Sequence, residues 1–424
     1  MKIRIRTFHR LVVLAGVFVF VAAATAENWT RFRGDNGSGA AEDAKIPARW
    51  SPEDLAWKTP LPGTGNASPV VWGDQVYVTS ADPATGTFSL LALNVSDGAV
   101  VWKREYPFKP VRVHTLNSFA TSTPAVDVDG VYTMSFGDDQ SLVIAVAHDG
   151  TERWTKDFGA TSTMHGPSQS PMIHDGTLVF SFEQEINRNG LESFWYALDT
   201  KTGETVWCLD RDTSGKASSS VPCVYNTPSG DSWIVFSSFG HGITAVDPKT
   251  GAVVWEQKDA MTARVISSPV VACEYIVATC GRRGGGLQLL VVQPGAGEGA
   301  EPRIVHNIEE RFVPYVPTPI AVNDLLYTYH DAGTVSCMAI KTGELVWSER
   351  LRAKFFGSPV LVGDKLYCVS DSGEVFVLRA GTEFEQLAVN DLGEASHATP
   401  AVANGRMFLR TNSHLMCVAA TSAH

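Results

Sequence analysis

Eight short strings built around a proline recur along this chain. They are SPVV at 68–71, TPAV at 123–126, SPMI at 170–173, VPCV at 221–224, SPVV at 268–271, TPIA at 318–321, SPVL at 358–361 and TPAV at 399–402. Successive prolines lie 40 to 55 residues apart. A repeat of that period cannot bury its apolar face alone, so each unit must pack on its neighbours.

Each proline opens the same programme. An apolar run is followed by a turn such as Gly73-Asp74 or Asp175-Gly176, then by an alternating run such as QVYVTS or KLYCVS. A polar loop leads to a third run (LLALN, WYALD), and an Asp-Gly or Thr-Gly turn leads to a fourth that ends at Trp. Period-2 alternation with β-branched residues predicts four short strands per unit. Pro at a strand start is tolerated because that residue need not donate to the ladder. No window shows helical periodicity with caps.

Four strands per 40–50 residues is the period of a β-propeller blade. The last unit stops after three strands, PAVANG, RMFLRT and HLMCVAA. The missing fourth strand is present at the other end, LAWKTPL at 55–61. The expected fold is therefore an all-β, eight-bladed propeller of four-stranded antiparallel blades, closed by the N-terminal strand completing the last blade. Closure protects the edges that an open array would expose.

The Trp-ended strings are ALNVSDGAVVW, AVAHDGTERW, ALDTKTGETVW, AVDPKTGAVVW and AIKTGELVW. They end at Trp102, Trp154, Trp207, Trp255 and Trp347, and Trp57 holds the same place in the closing strand. A large ring repeated there is expected to dock between blades. Units five and seven carry His306 and Gln386 near that position, so weaker seams are expected there.

The first 26 residues read as a signal peptide. Lys2, Arg4, Arg6 and Arg10 precede the apolar run Leu11–Ala23 and the small residues Ala24-Thr25-Ala26. The expected organisation is a signal peptide at 1–26, a lead segment at 27–54 and the propeller at 55–424, in a periplasmic or secreted protein. The apolar run is too short to span a bilayer as a helix, and no transmembrane span is expected once the signal is removed. Loss of four basic and no acidic residues takes the formal charge from −11 to −15. That balance disfavours nucleic acid as a partner.

Seven cysteines, an odd number without CxxC spacing, exclude a disulfide scaffold or a zinc site. Most read as small buried hydrophobes. One disulfide remains open, with Cys273 and Cys280 as the pair.

The pattern Ala-x-Asp-x-x-Thr-Gly-x-x-x-Trp resembles the docking repeat of the quinoprotein (PQQ-type) propellers. That family includes the PQQ-dependent alcohol dehydrogenases and BamB-like barrel-assembly proteins. The stretches NWTRFRGDNGSG and LAWKTPLPGTGNASPVVWGDQVYV are similar to secreted bacterial members. The dehydrogenases imply a Ca²⁺-held quinone, a catalytic Asp and often adjacent cysteines. This chain has no Cys-Cys pair, no CxxCH and no lipid-attachment Cys. The expectation is a monomeric binding or assembly scaffold in the cell envelope, with an envelope protein or a small polar ligand as partner and without redox chemistry, cofactor or metal. The alternative is a PQQ-dependent dehydrogenase using PQQ with calcium, or another enzyme acting at the funnel.

In a propeller, ligands meet the loops that enter the innermost strands and those between second and third strands. Candidates there are His114, His165, Arg264, Arg282, Arg283, His330, Asp331 and His397. Imidazole, guanidinium and carboxylate around one mouth suit an anionic or polyhydroxyl ligand. His330 and Asp331 are adjacent, so they face different sides of an extended backbone and form no dyad alone. The loop EQEINRNGLES (183–193) is a candidate lid or partner contact.

Overall fold

The computed structural model describes residues 27–42, 44–185, 192–212, 215–282, 284–295 and 301–420. The signal segment at 1–26 lies outside the described residues, as do Arg188 and Arg283. Eight sheets form a ring, each antiparallel within its blade. The innermost strands are Val70–Trp72, Ala125–Asp127, Met172–His174, Cys223–Asn226, Val270–Ala272, Ile320–Val322, Val360–Val362 and Ala401–Ala403. In blade 8, Leu55–Pro60 pairs with His414–Ala419, with Trp57 opposite Cys417, so the N-terminal strand closes the ring as expected. Apart from two short 3-10 turns, Asp35–Gly37 and Pro52–Asp54, no helix occurs among the described residues.

The Trp-ended sentence is accounted for residue by residue. Its small residue sits opposite the Trp in the neighbouring strand: Ala92 faces Trp102, Ala197 faces Trp207, and Ala245 faces Trp255. Asp199 and Asp247 each accept two backbone N–H groups at 2.8–2.9 Å, which folds the following turn. A register shift beside the Trp bends the outer strand. The indole then reaches the next blade. Nε1 of Trp57, Trp102, Trp154, Trp207 and Trp347 donates to the carbonyls of Val95, His148, Thr200, Pro248 and Gly381 at 2.7–3.1 Å. The turn Gly is required by this approach. Gly203 has φ +72, and an added Cβ there lies 2.7 Å from the Trp154 ring.

The two seams without Trp, expected to be weaker, are filled by other side chains. His306 takes the Trp position, with its Nε2 2.9 Å from the Lys341 carbonyl and its ring against Gly343. Between blades 7 and 8 the lead segment supplies Trp50. Its ring stacks on Tyr367 at 6.3 Å, and Asn390 bonds both Trp50 N–H and the Ala48 carbonyl.

The residue before the repeated proline has its own task. Backbone N–H groups of Ser68, Thr123, Val221, Ser268, Thr318 and Ser358 donate to the hydroxyls of Thr123, Ser170, Ser268, Thr318, Ser358 and Thr399 in the next blade, at 2.9–3.1 Å. The Ser/Thr-Pro string is thus a clasp at six of the eight seams, and Val221 of blade 4 offers no hydroxyl to blade 3. Ser268→Ala orphans the buried Val221 N–H, and a loss of about 1–3 kcal/mol is expected in denaturant unfolding.

The lead segment is a plug. Trp29 exchanges two backbone bonds with Val71 of blade 1, and Thr30 accepts from Val126 of blade 2. Arg31 donates to the Met172 sulfur of blade 3 and, at 2.6 Å, to the Pro222 carbonyl of blade 4. Arg33 donates to the Pro319 carbonyl of blade 6 at 2.8 Å, and Asn36 pairs with Val224 of blade 4. Ala40–Ala41 then adds a parallel strand to Val360–Val362 of blade 7. Residues 29–41 therefore touch the innermost strands of six blades and fill the axial channel. Arg31 and Arg33 are 5% and 0% exposed, and neither forms an ion pair among the described residues. Gly39, at φ +76, lets the chain pass the Arg33 guanidinium, which an added Cβ would meet at 2.7 Å.

All seven cysteines are free. The suggested Cys273–Cys280 bridge is not formed. Cys280 is buried in the core beside Gln288, whereas the Cys273 thiol is exposed and reaches the Asn323 carbonyl of the next blade at 3.3 Å.

Candidate functional site at the loop mouth

The loops entering blades 2, 3 and 5 bring three of the expected residues together. His114 and His165 have ring centroids 5.3 Å apart. The His114 N–H and the Asn117 side chain both donate to the His165 carbonyl, at 3.1 and 2.9 Å, tying the two loops. Arg264, from two blades further round, donates Nη1 to His165 Nδ1. It also pairs with Glu185 at 3.4 Å, both side chains being nearly fully buried. Glu185 in turn accepts from the backbone N–H of Met164 and of Ala217. A buried ion pair of this kind needs its remaining lone pairs satisfied, and the loop amides do that.

Asp331 anchors rather than opens the mouth. Its carboxylate accepts from the Tyr315 and Val316 N–H groups at 2.8 and 3.2 Å. Burial pushes its acid above 3.8. His330 accepts the Ala332 N–H on Nδ1 at 3.0 Å, so the two neighbours serve different loops. His397 donates from Nδ1 to the Leu116 carbonyl at 3.3 Å and lies against Phe356. Arg282 stays exposed at a strand end and forms no ion pair among the described residues.

Behind the mouth lies a closed network in the seam of blades 3 and 4. Trp195 stacks on Phe236 at 4.1 Å, and Arg211 covers its ring at 4.2 Å. Glu183 accepts from the Trp195 indole and the Ser218 N–H, both at 3.0 Å, and Arg211 pairs with Glu256. His241 donates to the Asp212 carbonyl. Glu183 and Glu185 stand out in sequence only as part of a charged loop. That each is buried against a cation or an indole depends on strands far away in the chain.

Burial lowers the pKa of His165, His241, His330 and His397 below 6.5, and Arg264 adds to the effect at His165. The unfolded chain then binds more protons than the fold below pH 6.5. Stability present above that pH is lost as pH falls through the folded values. Asp331, with a raised pKa, opposes this only as pH falls further toward 3.8. The melting temperature is expected to drop between about pH 7.5 and 5.5, with a shallower slope in His165→Gln. An unchanged slope in that variant rejects the assignment to His165.

Among the described residues, no three His, Cys, Asp or Glu side chains converge to hold a metal ion, and no helix is long and apolar enough to cross a membrane.

A closed ring of eight blades, six of them carrying a docking Trp, with non-repeating loops gathered at one mouth, defines a propeller of the PQQ-like class. The chain belongs to the family described as outer membrane protein assembly factor BamB, which matches residues 49–132, 114–310 and 309–383. The fold is similar to that of a europium-containing methanol dehydrogenase, with TM-score 0.66, 13% identity, 90% of this chain and 89% of that one covered. BamB from Moraxella catarrhalis gives 0.59, 18%, 87% and 99%. A quinohemoprotein alcohol dehydrogenase from Comamonas testosteroni gives 0.65, 14%, 97% and 83%. At these identities the likeness is one of fold. No curated protein matches the chain in sequence.

Proposed function

We propose that this propeller is an exported binding or assembly scaffold of the cell envelope and carries out no redox turnover of its own. The observation that carries the reading is the plug. Residues 29–41 bond to the innermost strands of six blades and place two buried guanidiniums on the axis. A calcium-held quinone asks for converging carboxylates, and among the described residues none converge here: the groups around this channel are backbone amides and carbonyls, hydroxyls and arginine. The residues present do not fit that group, and no step is derived through it. The family's description as an assembly factor favours a protein partner. The mouth around His114, His165 and Arg264 is the face assigned to binding.

The test adds PQQ and Ca²⁺ to the purified protein. No Ca²⁺-dependent quinone absorbance, no Ca²⁺-dependent thermal shift and no alcohol-dependent dye reduction are expected. A ligand of the folded state must raise its stability by mass action, so Ca²⁺-dependent stabilisation with dye reduction overturns the scaffold reading. Export is checked on protein recovered from a bacterial periplasm, whose first residue is expected to be Glu27.

A further inference from the structure

The mouth carries two hydrogen-bond donors that the fold does not use. The Nδ1 of His114 accepts the Leu116 backbone N–H at 3.2 Å. The Nδ1 of His165 accepts from the Arg264 guanidinium. Neither donor can act as acceptor, so both Nδ1 atoms are without a proton. A neutral imidazole with an accepting Nδ1 holds its proton on Nε2. Neither Nε2–H has a protein partner among the described residues, and both rings are half-buried. The loops that carry them are tied by two bonds to the His165 carbonyl, and Arg264 holds the His165 ring from a third loop. The two rings are thus held in place with centroids 5.3 Å apart.

The surroundings select the ligand. Arg264 is already neutralised by Glu185, and Asp331 stands close by beside Tyr315. Arg264 therefore brings no uncompensated positive charge to the two rings, which disfavours a dianion such as phosphate. A single carboxylate offers two coplanar acceptor oxygens to two N–H donors. Next to each ring is an exposed apolar side chain, Leu116 at 42% and Met164 at 70%. They offer apolar contact to whatever the carboxylate is attached to.

We propose that His114 and His165 form a site for a monocarboxylate bearing an apolar substituent, each Nε2–H donating to one carboxylate oxygen. The proposal rests on the reading of the mouth as the binding face. It stands apart from the question of redox turnover, which the quinone assay decides.

The test is a titration of the full chain at about pH 7.5, followed by NMR of ring-labelled histidine. The probes are N-acetyl-leucine, its neutral amide, hexanoate and inorganic phosphate. N-acetyl-leucine or hexanoate is expected to shift, saturably, the two ring signals that are missing from His114→Ala and His165→Ala. Tighter binding of the first points to a peptide C-terminus, and of the second to an aliphatic acid. The amide is expected to bind at least about tenfold more weakly, and phosphate likewise. His165→Gln keeps an N–H donor and is expected to weaken binding without abolishing it. The proposal is overturned by any of three results: no saturable shift with either carboxylate, equal binding of the amide, or unchanged affinity in a folded His114→Ala/His165→Ala double variant.

Discussion

Arg33→Ala is expected to lower the unfolding free energy by about 3 kcal/mol, in denaturant melts followed by tryptophan fluorescence. Arg33 is fully buried on the propeller axis. Its guanidinium binds the Pro319 carbonyl at 2.8 Å and the Ser38 carbonyl at 3.2 Å. Alanine leaves both acceptors without a donor and a cavity where the side chain stood. One effect runs the other way. The charge has no carboxylate partner, and burial lowers its pKa to about 9. Its desolvation is a cost the variant recovers. Arg33→Met, which fills the space and removes the charge, is therefore expected to cost less than alanine. A change within about 0.5 kcal/mol for alanine, the range of an ordinary surface substitution, rejects the plug as an integral part of the fold.

Trp57→Ala is expected to cost about 3–5 kcal/mol, and to do so by opening the ring. Trp57 is 8% exposed, donates to the Val95 carbonyl of blade 1 at 3.0 Å, and packs on Gly98, where an added Cβ would lie 2.5 Å from the indole. The other docking tryptophans hold one blade of a continuous chain to the next. Trp57 sits on the N-terminal strand that completes blade 8, Leu55–Pro60 against His414–Ala419. Its loss releases that strand and exposes the edge of blade 8. Hydrogen exchange is expected to rise first across His414–Ala419 and Arg406–Arg410, before the other blades. Uniform destabilisation of all eight blades rejects this account, because the closing seam would then carry no special share.

Blade number, strand order and the closing strand were all legible in the sequence. They follow from period-2 alternation and a repeat, and a repeat shows each local rule several times over. The inner clasp was half legible. Proline drew the eye, while the Ser or Thr before it makes the bond, and its partner is an amide in the next blade. His306 was legible as the residue near the Trp position of blade 5 but not as a seam filler, and Trp50 was illegible because it sits in no Trp-ended sentence. The grouping of His114 with His165 and Arg264 was legible only as shared loop class. Loop position says which face a side chain joins, and not which neighbour it meets. His330, Asp331, Arg282 and His397 share that class, yet the first two secure loops, Arg282 remains at a strand end, and His397 rests on Phe356.

The sequence by itself determined the scaffold: eight units, four strands each, and Trp-ended sentences that dock rather than bind. These are local patterns, written by backbone geometry and by what a pleated strand can bury. Only the tertiary structure decided that NWTRFRGDNGSG enters the axial channel, that Glu185 neutralises Arg264, and that two histidines lie 5.3 Å apart with their Nδ1 atoms occupied. Apart from the Leu116–His114 bond, those contacts join residues from about 40 to more than 300 positions apart. Such distances are set by ring closure, and no short window of sequence contains them.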